Sequence, residues 1–256
     1  MTHGRTLVQP TDLIVALDYA RADAAMALVE KLGAQPVVYK VGFELFLAGG
    51  LDLVRELVHR KKRVFLDLKF HDIPNTVAKA AQQAARLHVE MFTIHLAGGS
   101  QMVRAVADAL AEIDQIRPKI LGVSVLTSFD DVRWAEVTQA LTGHAVDVSA
   151  SVLGLTEHAV FWGADGVVCS AVELPLIRES HPNLYTVVPG IRPVGSPVND
   201  QARVMTPAQA REAGANAIVV GRPITEAADP RAAVESILKE LSSTEPKREA
   251  ILKTKN

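Results

Sequence analysis

The sequence predicts a single (β/α)8 barrel of the α/β class. Short Val/Ile/Leu-rich runs recur along the whole chain, and each is followed by a longer, Ala- and Leu-rich stretch of helical period. The length of 256 residues suits one barrel, which takes roughly 250. Nearly continuous apolar runs are what parallel strands need when both faces are covered.

In chain order, strand Leu13–Asp18 is followed by helix Ala22–Leu32, and Val37–Val41 by Leu51–His59. Val64–Lys69 is followed by Thr76–Leu87, Met91–Leu96 by Gln101–Glu112, and Ile120–Leu126 by Val146–Trp162. The last three pairs are Gly166–Cys169 with Val172–Glu179, Tyr185–Val188 with Pro207–Ala213, and Ala217–Val220 with Ala232–Leu241. Eight such units complete a barrel. The rival is an open, doubly wound sheet. It would carry a glycine fingerprint after the first strand, where Leu17-Asp18-Tyr19-Ala20 stands instead. No composition shift marks a boundary. Residues 1–256 read as one domain, with the barrel at about 12–241 and a charged tail at 242–256.

Hydrophobic residues make up 48% and charged residues 22%, which excludes disorder as the main state. Lys+Arg number 27 against 29 Asp+Glu, a formal net charge of −2. That balance gives no electrostatic reason to expect nucleic acid or an anionic membrane as partner. The one cysteine, Cys169, cannot form an intrachain disulfide or a Cys-based metal site alone, and is expected to be a small apolar filler on strand six. Met1 to Asp12 lacks a signal-peptide core, and no apolar run approaches the roughly 18 residues of a membrane span. A soluble cytoplasmic protein is the expectation. The eight histidines are scattered without paired ligand spacing, so no metal site is expected.

Charges interrupt the apolar strands where the strands should end. Asp18 closes the first run, Lys40 lies near the end of the second, and Asp67 and Lys69 close the third. Strand C-termini form the active-site face of such a barrel. Residues two apart share a strand face, so Asp67 and Lys69 should enter the mouth together while Leu66 and Leu68 face the helices. One such charge alone would read as a solvated rim residue. Four on three consecutive strands imply a polar pocket, because buried charges are costly unless paired. In the following segment Pro74 and Thr76 suit a helix start, and Asp72 alone would read as a first-turn acid.

The opposite end of the pocket carries anion-binding chemistry. Strand seven runs into Pro189-Gly190-Ile191-Arg192, and strand eight into Gly221-Arg222-Pro223. Loops after strands seven and eight often hold a phosphate in barrels of this kind. Gly221 allows backbone N–H groups to approach an anion, and Arg222 adds a forked cationic donor. The turn-rich stretch 190–203 reads equally as a closing lid or a surface loop.

Asp67-x-Lys69-x-x-Asp72-Ile73-Pro74-Asn75-Thr76 resembles the signature of the orotidine 5′-phosphate decarboxylase family in its bacterial form. Leu17-Asp18, Lys40-Val41-Gly42, Val125-Leu126-Thr127-Ser128, Pro189-Gly190-Ile191-Arg192, Asp200-Gln201 and Val220-Gly221-Arg222-Pro223 follow the family order. The resemblance spans strands one to eight. It implies a cofactor-independent lyase of pyrimidine biosynthesis converting orotidine 5′-phosphate to UMP. Lys69 would protonate C6, and Asp67 would sit beside the substrate carboxylate and hold Lys69. Lys40 would join the charged array and, with Asp18, bind the ribose hydroxyls. Thr127 and Ser128 would lie at the pyrimidine, and Gln201 would bridge pyrimidine and phosphate. Gly221 and Arg222 would clamp the phosphate, with Pro189 and Arg192 in the same region. Asp72 and Thr76 would reach the neighbouring subunit's site, making the active unit a homodimer.

Two alternatives remain open on the residues alone. One is a metal-dependent sugar-phosphate decarboxylase or aldolase of the same superfamily, against which Ile73-Pro74-Asn75-Thr76 and Gln201 weigh. The other is a non-catalytic barrel that binds a phosphate ligand. A lysine between two carboxylates, kept as an ammonium ready to act as general acid, is more than binding requires.

Overall fold

The computed structural model describes residues 10–193 and 205–242. Eight parallel strands close into a barrel: β1 (Asp12–Ala16), β2 (Val37–Gly42), β3 (Arg63–Phe70), β4 (Met91–His95), β5 (Lys119–Val123), β6 (Gly166–Val168), β7 (Tyr185–Val188) and β8 (Ala217–Val220). Each strand pairs with its sequence neighbours, and β1 closes the ring against β8 through Asp12↔Ala217 to Val15↔Val220. The helices around it are α1 (Ala22–Leu32), α2 (Phe43–His59), α3 (Pro74–Arg86), α4 (Gly99–Ala111), α5 (Asp131–Thr142), α6 (Val148–Trp162), α7 (Leu174–Ser180), α8 (Pro207–Glu212), α9 (Arg222–Thr225) and α10 (Pro230–Ser242). No helix among the described residues is long and apolar enough to cross a membrane.

Strand alternation divides the core in two. Ile14, Ala16, Val38, Phe65, Met91, Leu121, Val187, Ala217 and Val219 fill the barrel interior. Their sequence neighbours, such as Leu13, Val15, Tyr39, Leu66 and Phe92, face the helices and join the outer core. Both layers are dry, so the strands read as unbroken apolar runs. At the N-terminal end of the barrel a polar plug takes over. The Arg63 guanidinium donates to Asp12 and Glu90 at 2.6–2.9 Å, and Lys119 Nζ stands 5.3 Å from the Tyr185 ring centre. These charges pair among themselves at the end of the barrel opposite the C-terminal face, where barrel chemistry sits.

The strands and helices depart from expectation in instructive places. Helix α2 begins at Phe43, eight residues before the expected Leu51. The Gly49-Gly50 pair hid its first turns, and Gly50 kinks the helix at φ 59°, a conformation glycine adopts without steric cost. Helix α5 was not expected, because it has almost no apolar face and buries only Thr138. Its ends hold it: Asp130 accepts a hydrogen bond from the Arg133 N–H, and Gly143 closes it in the left-handed region. Strands β1 and β5 end at Ala16 and Val123, short of the expected Asp18 and Leu126. After β1 the Leu17 N–H still donates to the Lys40 carbonyl at 3.0 Å, and after β5 Val125 and Leu126 line the mouth. Cys169 follows β6 and is fully buried, and that burial pushes its thiol up to about 12. Apart from Ser242, the expected tail lies outside the described residues, as does most of 190–203.

Candidate active site

A cavity of about 140 Å³ opens at the C-terminal end of the barrel. Its floor is apolar, made by Phe65, Val123, Val125, Val168, Val187 and Val219. Its polar wall comes from β2 and β3. Lys40 and Asp67 line it, as period-two alternation from inward-facing Val38 and Phe65 requires, and Lys69 lines it with them. Leu66 and Leu68 face the helices, as expected.

The four charges form a chain of alternating sign. Lys40 Nζ donates to Asp18 Oδ1 at 3.1 Å and stands 3.7 Å from Asp67 Oδ2. Lys69 Nζ donates to Asp67 Oδ1 at 2.8 Å. The Lys40 and Asp67 side chains are only 13% exposed, while Asp18 is 60% exposed. Inner charges this desolvated repay their cost only through mutual pairing. Gly42 helps keep Lys40 in place, since a Cβ there would stand 3.1 Å from Lys40 Nζ. The array therefore presents two ammonium groups and a shielded carboxylate to whatever sits on the apolar floor.

Thr93 was not among the expected site residues. It is fully buried on β4, where its Oγ1 donates to Asp67 Oδ1 at 3.0 Å and accepts the Lys69 backbone N–H at 2.8 Å. The only sequence signal is a lone hydroxyl within the apolar run Met91-Phe92-Thr93-Ile94. His95, one pair further along the same inward face, sits with its ring centre 5.4 Å from that of His71. Burial, His71 and Lys69 hold the His95 imidazole below its ordinary range, against the opposite pull of Asp67. The shift favours the neutral form of His95 at the edge of an already cationic wall.

Asp72 and Thr76 are exposed and stand apart from this array. Asp72 Oδ1 accepts its neighbour Ile73's N–H at 2.6 Å, and among the described residues Asp72 makes no ion pair with Lys69. Nor does it cap α3, whose N-cap is Ile73 without a side-chain bond. The two residues line a second, open cleft together with Phe43, Lys69 and His71. Phe43, 56% exposed, lines that cleft; Leu47 one turn further along α2 and Ile73 next to Asp72 are 84% and 67% exposed.

The remaining expected residues separate into three groups. Thr127 and Pro189 line the main cavity, whereas Ser128 is exposed beside it and not part of its lining. Gly221 lies against the array: a Cβ on it would stand 3.6 Å from Asp18 Oδ2. Arg222 follows as the first residue of α9 and is half-buried. Arg192 is buried, with its Nη1 donating to the Ile191 carbonyl at 3.0 Å, and its backbone is tied to Met205. Gln201 lies outside the described residues. Among the described residues no group of three or more His, Cys, Asp or Glu side chains is placed to hold a metal ion.

Residues 11–237 match the model of the Orotidine 5′-phosphate decarboxylase / HUMPS family. The chain is 43% identical over 232 residues to the orotidine 5′-phosphate decarboxylase of Pseudomonas syringae pv. syringae, covering 91% of this chain and 98% of the relative. It is 44% identical over 231 residues to the enzyme of the same name from Pseudomonas entomophila, covering 90% and 97%. Among solved structures, the orotidine 5′-phosphate decarboxylase of Lactobacillus acidophilus superposes with a TM-score of 0.80 at 39% identity, covering 91% of this chain and all of that one.

Proposed function

The chain belongs to the Orotidine 5′-phosphate decarboxylase / HUMPS family and converts orotidine 5′-phosphate to UMP; on that premise we propose that Lys69 supplies the proton that replaces the departing carboxylate. The observation that carries this reading is the Lys69 ammonium, 2.8 Å from Asp67 and facing an apolar floor. The C6–carboxylate bond breaks and carbon dioxide leaves. Its electron pair stays on C6 and takes a proton from Lys69 Nζ. The resulting amine regains a proton from solvent.

The wall of the pocket suits that sequence of events. A carbanion formed without a covalent electron sink has to be stabilised by preorganised charge. Lys69 is already in place, so no reorganisation is needed as negative charge moves to C6. The Asp67 carboxylate beside that of the substrate favours the state in which the substrate's charge has left. The valine-rich floor favours neutral carbon dioxide over an anion. Asp18 and Lys40 lie at the outer end of the chain of charges, where ribose hydroxyls can bond to both. Thr127 faces the same cavity for the pyrimidine, with Ser128 beside it.

The phosphate belongs at Gly221 and Arg222, with Pro189, Arg192 and Gln201 contributed by the segment after β7. Remote phosphate binding lowers the barrier at C6 only if its energy is realised on closure over the substrate. Arg222→Ala should reduce kcat/KM for orotidine 5′-phosphate by roughly 10- to 100-fold, the worth of one charge-assisted hydrogen bond. Turnover of orotidine, which lacks the phosphate, should change little. Equal losses on both substrates would remove Arg222 from this role.

The working unit is a homodimer in which Asp72 and Thr76 complete the partner's pocket. Supporting this, both residues are exposed in the cleft that Lys69 also lines, Asp72 makes no ion pair with Lys69 among the described residues, and the exposed Phe43 gives that cleft an apolar edge. Substrate and product are charged nucleotides, which suits a cytoplasmic enzyme. The direct test is the ultraviolet absorbance change on adding orotidine 5′-phosphate, with and without EDTA. Turnover unaffected by EDTA is expected. Binding without turnover would leave a ligand-binding barrel, and loss of activity in the chelator would favour a metal-dependent lyase.

A further inference from the structure

The pairing of β3 with β4 breaks beside the charged array. Phe65↔Met91 and Leu66↔Phe92 are in register, but the next pair is Phe70↔Ile94. Four steps along β3 are thus matched by two along β4, and Asp67, Leu68 and Lys69 bulge out opposite Thr93. Within the bulge Lys69 adopts φ 43°, a left-handed conformation that disfavours any residue with a Cβ. A bulge removes ladder bonds and re-aims the side chains it carries. Something else has to hold the strand in that shape.

Thr93 is the group placed to do so. Its hydroxyl accepts the Lys69 N–H at 2.8 Å, replacing a ladder bond, and spends its own proton on Asp67 Oδ1 at 3.0 Å. Asp67 Oδ1 also receives Lys69 Nζ at 2.8 Å. One fully buried oxygen therefore joins the backbone of the lysine to the carboxylate that holds that lysine's ammonium. A valine would fill the same volume and bond to neither.

We propose that Thr93 is a positioning residue for the decarboxylation, holding the β3 bulge so that the Lys69 ammonium and Asp67 carboxylate are fixed before substrate arrives. This rests on the function proposed above. Thr93 lies behind Asp67 and outside the cavity lining, so it acts on the reaction through these two groups. A slack array still binds ligand, but it has to reorganise during the chemical step, and preorganisation is where such sites gain their rate. The loss should therefore fall on kcat and leave KM nearly unchanged.

The test compares Thr93→Val, which keeps the shape, with Thr93→Ser, which keeps the hydroxyl. Thr93→Val should lower kcat for orotidine 5′-phosphate by roughly 10- to 100-fold, the effect of losing one hydrogen bond to a charged group. KM, and the affinity for UMP measured by calorimetry, should stay within about threefold, since uniform binding is not what the hydroxyl supplies. Thr93→Ser should recover kcat to within about threefold of the parent on the same reasoning. Should the Val chain fail to fold, Thr93→Ala against Thr93→Ser gives the same contrast of a single hydroxyl. Undiminished kcat in the hydroxyl-free variant, or a folded Ser variant as slow as it, would overturn the positioning role while the parent enzyme stayed active. A parent chain that released no carbon dioxide at all would instead overturn the function, and this role with it.

Discussion

Lys69→Ala is expected to lower kcat for orotidine 5′-phosphate by about 10⁴-fold or more, since it removes a proton donor worth roughly 10²–10⁴ and a preorganised cation besides. The substitution also strips Asp67 of the ammonium 2.8 Å away, leaving Lys40 at 3.7 Å as its remaining cation. A carboxylate less well compensated then faces the carboxylate of the substrate, so substrate binding weakens together with turnover. UMP has no carboxylate, and its affinity should change far less. Lys69→Arg sharpens the contrast. It restores a cation and should recover part of the substrate binding. A guanidinium does not give up its proton in a protein, so turnover should remain low. Steady-state rates and UMP titration of the three chains separate these contributions, and an Ala variant within tenfold of the parent rate would remove Lys69 from the proton-donor role.

Proton donation by itself contributes roughly 3–5 kcal/mol. A decarboxylation without a covalent electron sink requires more, and the largest enzymatic accelerations reach about 23 kcal/mol. The rest has to come from fixed charge around C6 and from the phosphate end of the substrate. That division suits a pocket whose charged lining residues, Lys40, Asp67 and Lys69, all come from β2 and β3. Charges on β2 and β3 face a cavity with an apolar floor, where electrostatic interactions are less screened than in water.

The barrel was readable because its strands are buried on both faces. Runs such as Val64-Phe65-Leu66 and Ile218-Val219-Val220 cannot be partly solvated surface. The charged wall was readable for the converse reason: Asp67 and Lys69 break such a run at positions that share a face. Helix α5 was not, because capping holds its ends while hydrophobic periodicity is nearly absent. The start of α2 was hidden by Gly49-Gly50, which reads as a helix break although Gly50 only kinks the helix, at a φ of 59°. Thr93 escaped for a further reason. A threonine within a strand is ordinary by propensity, and its importance comes from a register break that places it opposite Lys69. No local pattern announces that break. The separation of Asp72 from its own chain's Lys69 is likewise a matter of geometry, since the two are close neighbours in sequence.

Mixing Lys69→Ala chains with Asp72→Ala chains should restore activity that neither possesses alone. Each homodimer would lack one essential group in both of its sites. Asp72→Ala should itself lose at least about 10²-fold in kcat, the cost of removing one preorganised charge next to the reacting centre. In a mixed dimer the defects fall together: one site receives both alanine substitutions, while the other has Lys69 from one chain and Asp72 from its partner. Random assortment of equal amounts makes half the dimers mixed, each with one working site, so about a quarter of the parent activity should return. Phe43, exposed on the open cleft, would offer apolar area to the association that this requires. The experiment needs subunit exchange, which is followed independently by tagging one chain and isolating the mixed dimers. Isolated mixed dimers no more active than the two parents would mean that Asp72 serves its own chain or none. Recovery near one quarter in the mixture, or about one half in the isolated mixed dimers, would assign it to the partner's Lys69, because no arrangement within a single chain can rescue either defect.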